Sequence, residues 1–217
     1  MDLQSLTVWI PCLLLAVTFH EAMHGYAANR LGDPTAKLMG RLTLNPIAHI
    51  DPLGTLIIPG ILFLTHSGFL FGWAKPVPVN PFRLRNPKQD MMWVAAAGPV
   101  TNLTLAAISG VLFRVILLLG PLIPSGGVVF WNYLRELSIV SVQFNILLAV
   151  FNLIPLPPLD GGRILSGVLP NPQAMSLSRI EPYGMFVVIL LIMLNPFGIM
   201  SGLWRIMDLL TRLFLGY

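Results

Sequence analysis

His20, Glu21 and His24, in the order His-Glu-x-x-His, are the residues of this chain whose types and spacing most clearly do chemistry. A helix repeats every 3.6 residues, so positions 20 and 24 share a face and can turn two imidazoles toward one metal ion, while Glu21 beside them can reach a water held there. This is the layout of a zinc hydrolase. In a chain with only 4 histidines, the three fixed positions match by chance roughly once in a thousand sequences. Two helix histidines satisfied by ordinary neighbours are the plainer reading of the motif alone.

The setting weighs against that plainer reading. Leu6 to Val17 is a nearly uncharged run. Continued through the motif to about Leu31, it is long enough to cross a hydrocarbon core of ~30 Å. Two histidines and a glutamate at membrane depth are costly unless paired, and such residues are functional by default. One metal ion satisfies all three.

The composition fits that setting. The chain is 55% hydrophobic and 10% charged, with a mean hydropathy of +0.78, where soluble domains carry about a quarter charged residues. A soluble domain is excluded and a polytopic membrane protein is predicted. The segment from Leu6 reads as retained, since the residues before it hold Asp2 but no Lys or Arg, and no small-x-small cleavage site follows. The one cysteine, Cys12, excludes an internal disulfide and any cysteine-based zinc site, which leaves metal chemistry to histidines and carboxylates. Net charge +4 and a pI near 9.6 are assigned to basic loops on the inner side of a bilayer rather than to nucleic-acid binding.

Three long spans are expected: Leu6 to about Leu31, Met91 to about Leu119, and Trp131 to about Leu153. Between the first two, 7 of the 13 Lys and Arg gather from Arg30 to Lys88. Within that insertion, Leu38–Leu44 and Ala74–Val79 are predicted as short β-strands. Gly54–Leu64 is apolar but short and broken by Pro and Gly, so it reads as re-entrant or shallowly buried. The prolines of 155–158 stop the third span, and Asp160 is expected on extended backbone. Two further apolar helices fall within 183–215, the last amphipathic through Arg205, Asp208 and Arg212. The fold class is therefore an all-α integral membrane protein, a transmembrane helix bundle with short β-strands in a cytoplasmic-side insertion. It forms one domain over 1–217, with its core at about 6–165.

The loop charges place the N-terminus outside, and three polar clusters then fall toward the cytoplasmic face. These are His20/Glu21/His24 late in the first span, Asn102 early in the second, and Asp160 after the third. Catalytic zinc takes three protein ligands and keeps a fourth position for water. Asp160, the only acidic residue between Glu136 and Glu181, is the best candidate to join the two histidines.

His20-Glu21-x-x-His24 within a span, Gly98-Pro99-x-x-Asn102, and Asn152-x-x-Pro155-x-Pro157-x-Leu159-Asp160-Gly161-Gly162-Arg163 together resemble the site-2 protease family of intramembrane zinc metallopeptidases. The motifs extend over roughly residues 16 to 165. The resemblance implies that His20, His24 and Asp160 bind one Zn2+ and that Glu21 is the catalytic acid/base. It also implies that Asn102 helps in the cleft, by stabilising an oxyanion or the substrate strand, and that the partner is a transmembrane protein substrate in a lipid bilayer, the cell membrane being expected. The chain looks like a compact form without a PDZ domain. The two predicted strands are expected to hold an unwound substrate by edge pairing.

The remaining candidates carry two readings each. His49 assists near the site or caps a local turn; His66 reads as interfacial. Asn102 and Asn152 act on substrate, or simply bond across helices and fix the Pro-rich turn. The rival function is a metal-ion transporter or metal-binding membrane protein, which has less need of Glu21 and for which no inverted repeat is visible.

Overall fold

The computed structural model describes residues 3–65, 72–122, 124–195 and 198–217. Asp2 and His66 lie outside the described residues. The first helix, α1, is Leu3–Arg30. A short helix α2 (Thr35–Leu38) follows, and a π-helical turn over Pro52–Ile57 runs into α3 (Ile58–Leu64). The long helices α4 (Pro87–Leu119) and α5 (Val128–Asn152) come next, and then α6 (Asp160–Val168), α7 (Asn171–Ser178), α8 (Glu181–Leu194) and α9 (Ile199–Leu215). Three stretches, Ser5–Arg30, Pro87–Leu122 and Val128–Asn152, are long and apolar enough to cross a membrane.

Helices α1, α4 and α5 pack on one another, and small residues let them approach. Ala16, Ala22 and Ala28 of α1 and Ala95 and Ala106 of α4 are buried, as close packing without a hydrophobic drive between lipid-exposed helices requires. Pro11 lies inside α1 and has no N–H for the Thr7 carbonyl one turn back. The Tyr133 hydroxyl of α5 donates to that carbonyl at 3.3 Å instead, so a break in the helix ladder becomes an interhelical tie. On the other flank, α9 lays Leu203, Met207, Leu210 and Phe214 over a cluster of Ala106, Phe113, Val142, Ile146 and Val150. Gly110 permits this: a Cβ there would run into the Phe214 carbonyl.

The predicted strands are not there. Leu38 ends a helix, Met39 and Gly40 turn, and no described residue of 38–44 or 74–79 is in a strand. The reason is chemical. Pro76 and Pro78 have no N–H to give a ladder, and the amides preceding each of them go elsewhere: Lys75 to the His49 carbonyl and Val77 to the Glu21 carboxylate, each at 2.9 Å. What joins the two stretches is a side chain, the Arg41 guanidinium donating to the carbonyls of Lys75 and Pro76 at 3.0 and 3.3 Å.

The six-residue π-turn and the seven residues of α3 span about 20 Å together, too short to cross a bilayer. Helices α7 and α8 meet at a bend of 68°. Asp160 is not on extended backbone but opens α6, after an extended Leu159. The prolines halt the chain only as far as Pro158. From there the chain doubles back so closely that a Cβ on Gly161 would strike the carbonyls of Leu153 and Ile154, and one on Gly162 would strike Pro157.

Candidate metal centre

Helix α1 delivers His20 and His24 one turn apart, and α6 delivers Asp160. Their facing atoms form a triangle. His20 Nε2 lies 3.1 Å from His24 Nε2, and Asp160 Oδ2 lies 3.2 Å from the first and 3.3 Å from the second. His20 and Asp160 are buried, and the His24 side chain is 12% exposed. Asp160 reaches them because α6 packs against α4, where Met92 fills the space a side chain at Gly167 would need.

The outer nitrogens decide which protons these groups carry. His24 Nδ1 is 2.7 Å from the Val94 carbonyl, which can only accept, so Nδ1 holds a proton. Asn102 sits behind His20 and is fully buried. Its amide nitrogen donates to the Ala16 carbonyl at 3.1 Å and to Asn145 Oδ1 at 2.9 Å. Its oxygen must therefore be the atom 2.6 Å from His20 Nδ1, and that nitrogen also carries a proton. Asn145 in turn donates to the Ser141 carbonyl at 2.9 Å.

In the neutral imidazoles both Nε2 atoms are thus bare lone pairs, turned toward each other and toward a carboxylate oxygen. Asp160 Oδ2 is buried and receives no hydrogen bond. Three acceptors within 4.8 Å of one another, none with a proton to share, repel unless a cation lies among them. Two neutral imidazoles and a carboxylate, each imidazole fixed through its far nitrogen, are the donor set that zinc takes, so the residues fit the metal. Gly98 of α4 closes one side of the triangle. A Cβ there would lie 2.5 Å from His24 Nε2 and 2.6 Å from His20 Cε1.

Glu21 stands on the neighbouring face of α1, with Oε2 accepting the Val77 amide at 2.9 Å. His49 is buried, its Nε2 donating to the Thr43 carbonyl at 2.9 Å while Nδ1 has no partner. Among the described residues its hydrogen bonds go to the Thr43 carbonyl and, through its own carbonyl, to the Lys75 amide, and none reaches the triangle. Asn152 donates to the Leu148 carbonyl of its own helix at 2.9 Å and is not gathered into the cluster. Asn145 and the Val94 carbonyl were not singled out by the sequence. An asparagine in an apolar span was a usable signal for the first, and nothing marks the second.

The sequence profile of peptidase family M50 matches residues 8–195. YwhC of Bacillus subtilis strain 168, provisionally named a zinc metalloprotease, is 40% identical over 186 residues, which is 86% of this chain and 80% of that protein. Rip2 of Mycolicibacterium smegmatis, named in the same provisional way, is 30% identical over 184 residues, 82% of this chain and 64% of its own. Rip2 of Mycobacterium tuberculosis H37Rv is 28% identical over 208 residues, 92% of this chain and 74% of its own. No solved structure matches the chain.

Proposed function

The chain belongs to peptidase family M50, and on that premise we propose a reaction and a set of roles for its buried residues. It is a membrane-embedded zinc metallopeptidase that hydrolyses peptide bonds within or beside transmembrane segments of other proteins. The observation that carries the roles is the buried triangle of His20 Nε2, His24 Nε2 and Asp160 Oδ2. His20, His24 and Asp160 would hold one zinc ion. Zinc, when bound, supplies a Lewis acid that makes a water acidic near neutral pH.

The rest of the chemistry belongs to the chain. Glu21 takes a proton from the attacking water and hands it to the leaving amine. Asn102 touches no substrate in this scheme: it holds His20 in the tautomer whose Nε2 is free. A transmembrane helix hides its own peptide bonds, so the substrate unwinds locally. Beside α1, the amides of Leu42, Thr43 and Leu44 have no partner among the described residues and offer an unwound segment a place to pair. Basic residues cluster between α1 and α4, which supports a cell-membrane protein with this site toward the cytoplasm.

The test is zinc content and cleavage of a transmembrane model substrate by wild type, Glu21→Gln and Asp160→Ala in detergent. Glu21→Gln should keep zinc and lose cleavage, and Asp160→Ala should lose both. Turnover unchanged in Glu21→Gln would sink the hydrolytic reading and leave a metal carrier in its place.

A further inference from the structure

Residues 72–80 cross α1 at the level of Glu21, and they are fastened at both ends and in the middle. The Trp73 amide donates to the Gly54 carbonyl at 3.1 Å, and Thr55 Oγ1 donates to the Trp73 carbonyl at 2.9 Å. Lys75 is tied to His49, and Arg41 holds the carbonyls of Lys75 and Pro76. At the far end Asp33 Oδ2 accepts the Asn80 amide at 2.6 Å.

The sequence also stiffens this strap. Pro76 and Pro78 fix their own φ, and Lys75 and Val77, each preceding a proline, are confined to extended backbone. Gly25, one turn beyond Glu21, gives the strap its seat: a Cβ there would lie 2.9 Å from Val77 Cγ1 and 3.0 Å from Leu42 Cδ1. At the centre of all this the Val77 amide meets Glu21.

We infer that the Val77 N–H is the positioning group for Glu21, holding Oε2 so that the other oxygen, Oε1, is the one aimed at the attacking water. This rests on the peptidase reading. A carboxylate on a flexible side chain of two methylenes otherwise samples several rotamers, and a base must be oriented to work. A charge-assisted hydrogen bond from a rigid amide fixes the choice. At Val77 the strap is therefore a support for Glu21 and not an edge for substrate. Between Lys75 and Asn80 only the Val79 amide has no partner among the described residues.

The test replaces single amides by esters, inserting the hydroxy analogue of valine at 77 or at 79 by nonsense suppression; each exchange removes one N–H and leaves the side chain. The ester at 77 should keep zinc and KM and lose kcat by about 10- to 100-fold, the range for removing a partner that orients a site residue. The ester at 79 should change nothing. A second measurement needs no activity: residue-resolved hydrogen exchange should speed up at least tenfold at the Val77 amide in Glu21→Ala, with Lys75 unaffected. Equal Val77 exchange in both proteins, or an ester at 77 within twofold of wild-type kcat, overturns the inference. A wild type that cleaves nothing overturns the peptidase reading, and this one with it.

Discussion

Two sets of polar side chains lie side by side in this bundle and behave in opposite ways. Inside, Ser109 and Ser141 bond at 2.8 Å, and Asn145, Asn102 and His20 Nδ1 continue inward, joined by side-chain hydrogen bonds as far as the metal-facing nitrogen. Outside, α9 turns Arg205, Asp208 and Arg212 away from the helices it packs on, with a single ion pair, Asp208 to Arg212 at 2.9 Å, whose side chains are 61–62% exposed. In the low-dielectric interior an unpaired donor is expensive, so the network has one arrangement. On the outer face the pair is one turn of a helix that forms without it. Polar residues specify this structure where they are enclosed, and merely decorate it where they are not.

Gly98→Val puts the comparison under the most strain. The new side chain lands on both imidazoles, and zinc affinity should fall by at least about 100-fold, the upper range for disturbing the support of a metal ligand, as read by competition with a chelator. Asn102→Leu should cost about 10- to 100-fold in activity or affinity. Its coupling with Asn145→Leu in a double-mutant cycle should be non-additive by about 0.5–3 kcal/mol. Additive losses would mean that the interior network is not one unit.

Asp33, outside the spans, is the intermediate case. Burial works to raise its carboxyl, but the Thr35 hydroxyl, the amides of Asn80 and Thr35, and the Arg83 charge outweigh it and hold it below the ordinary carboxylate range. A depressed folded value means stability present above the unfolded value of about 3.9 and lost as pH falls below it. Asp33→Asn should flatten the fall in Tm below about pH 4. Asp208→Asn should be the smallest change, at most about 0.5 kcal/mol for an exposed i,i+4 pair. A larger loss in denaturant melts would erase the distinction between inside and outside.

Much of the site was legible because its information is local or scarce. The histidine pair follows from helical spacing, the three spans from hydropathy, and Asp160 from the lack of any other acid in its stretch. The two strands failed because β-branched and apolar residues suggested a ladder that Pro76 and Pro78 forbid. Asp160 was expected on extended backbone because the prolines were weighed more heavily than the helix that restarts after them. The Val94 carbonyl, the reason for Gly98 and the Val77 contact were beyond reach. Each is a meeting of segments far apart in sequence, and a backbone atom carries no signature of which side chain it will meet.

The metal triangle draws its corners from the first helix and from the sixth, with two spanning helices between them in the chain. An ion that binds there is a crosslink as well as a cofactor. It ties the start of the bundle to the turn after α5, and its free energy of binding adds to that of folding. At free zinc 100-fold above the dissociation constant this amounts to about 2.7 kcal/mol. A chelator would therefore loosen the whole assembly as it silences it, and the same zinc supply would set both how fast the protein works and how long it lasts.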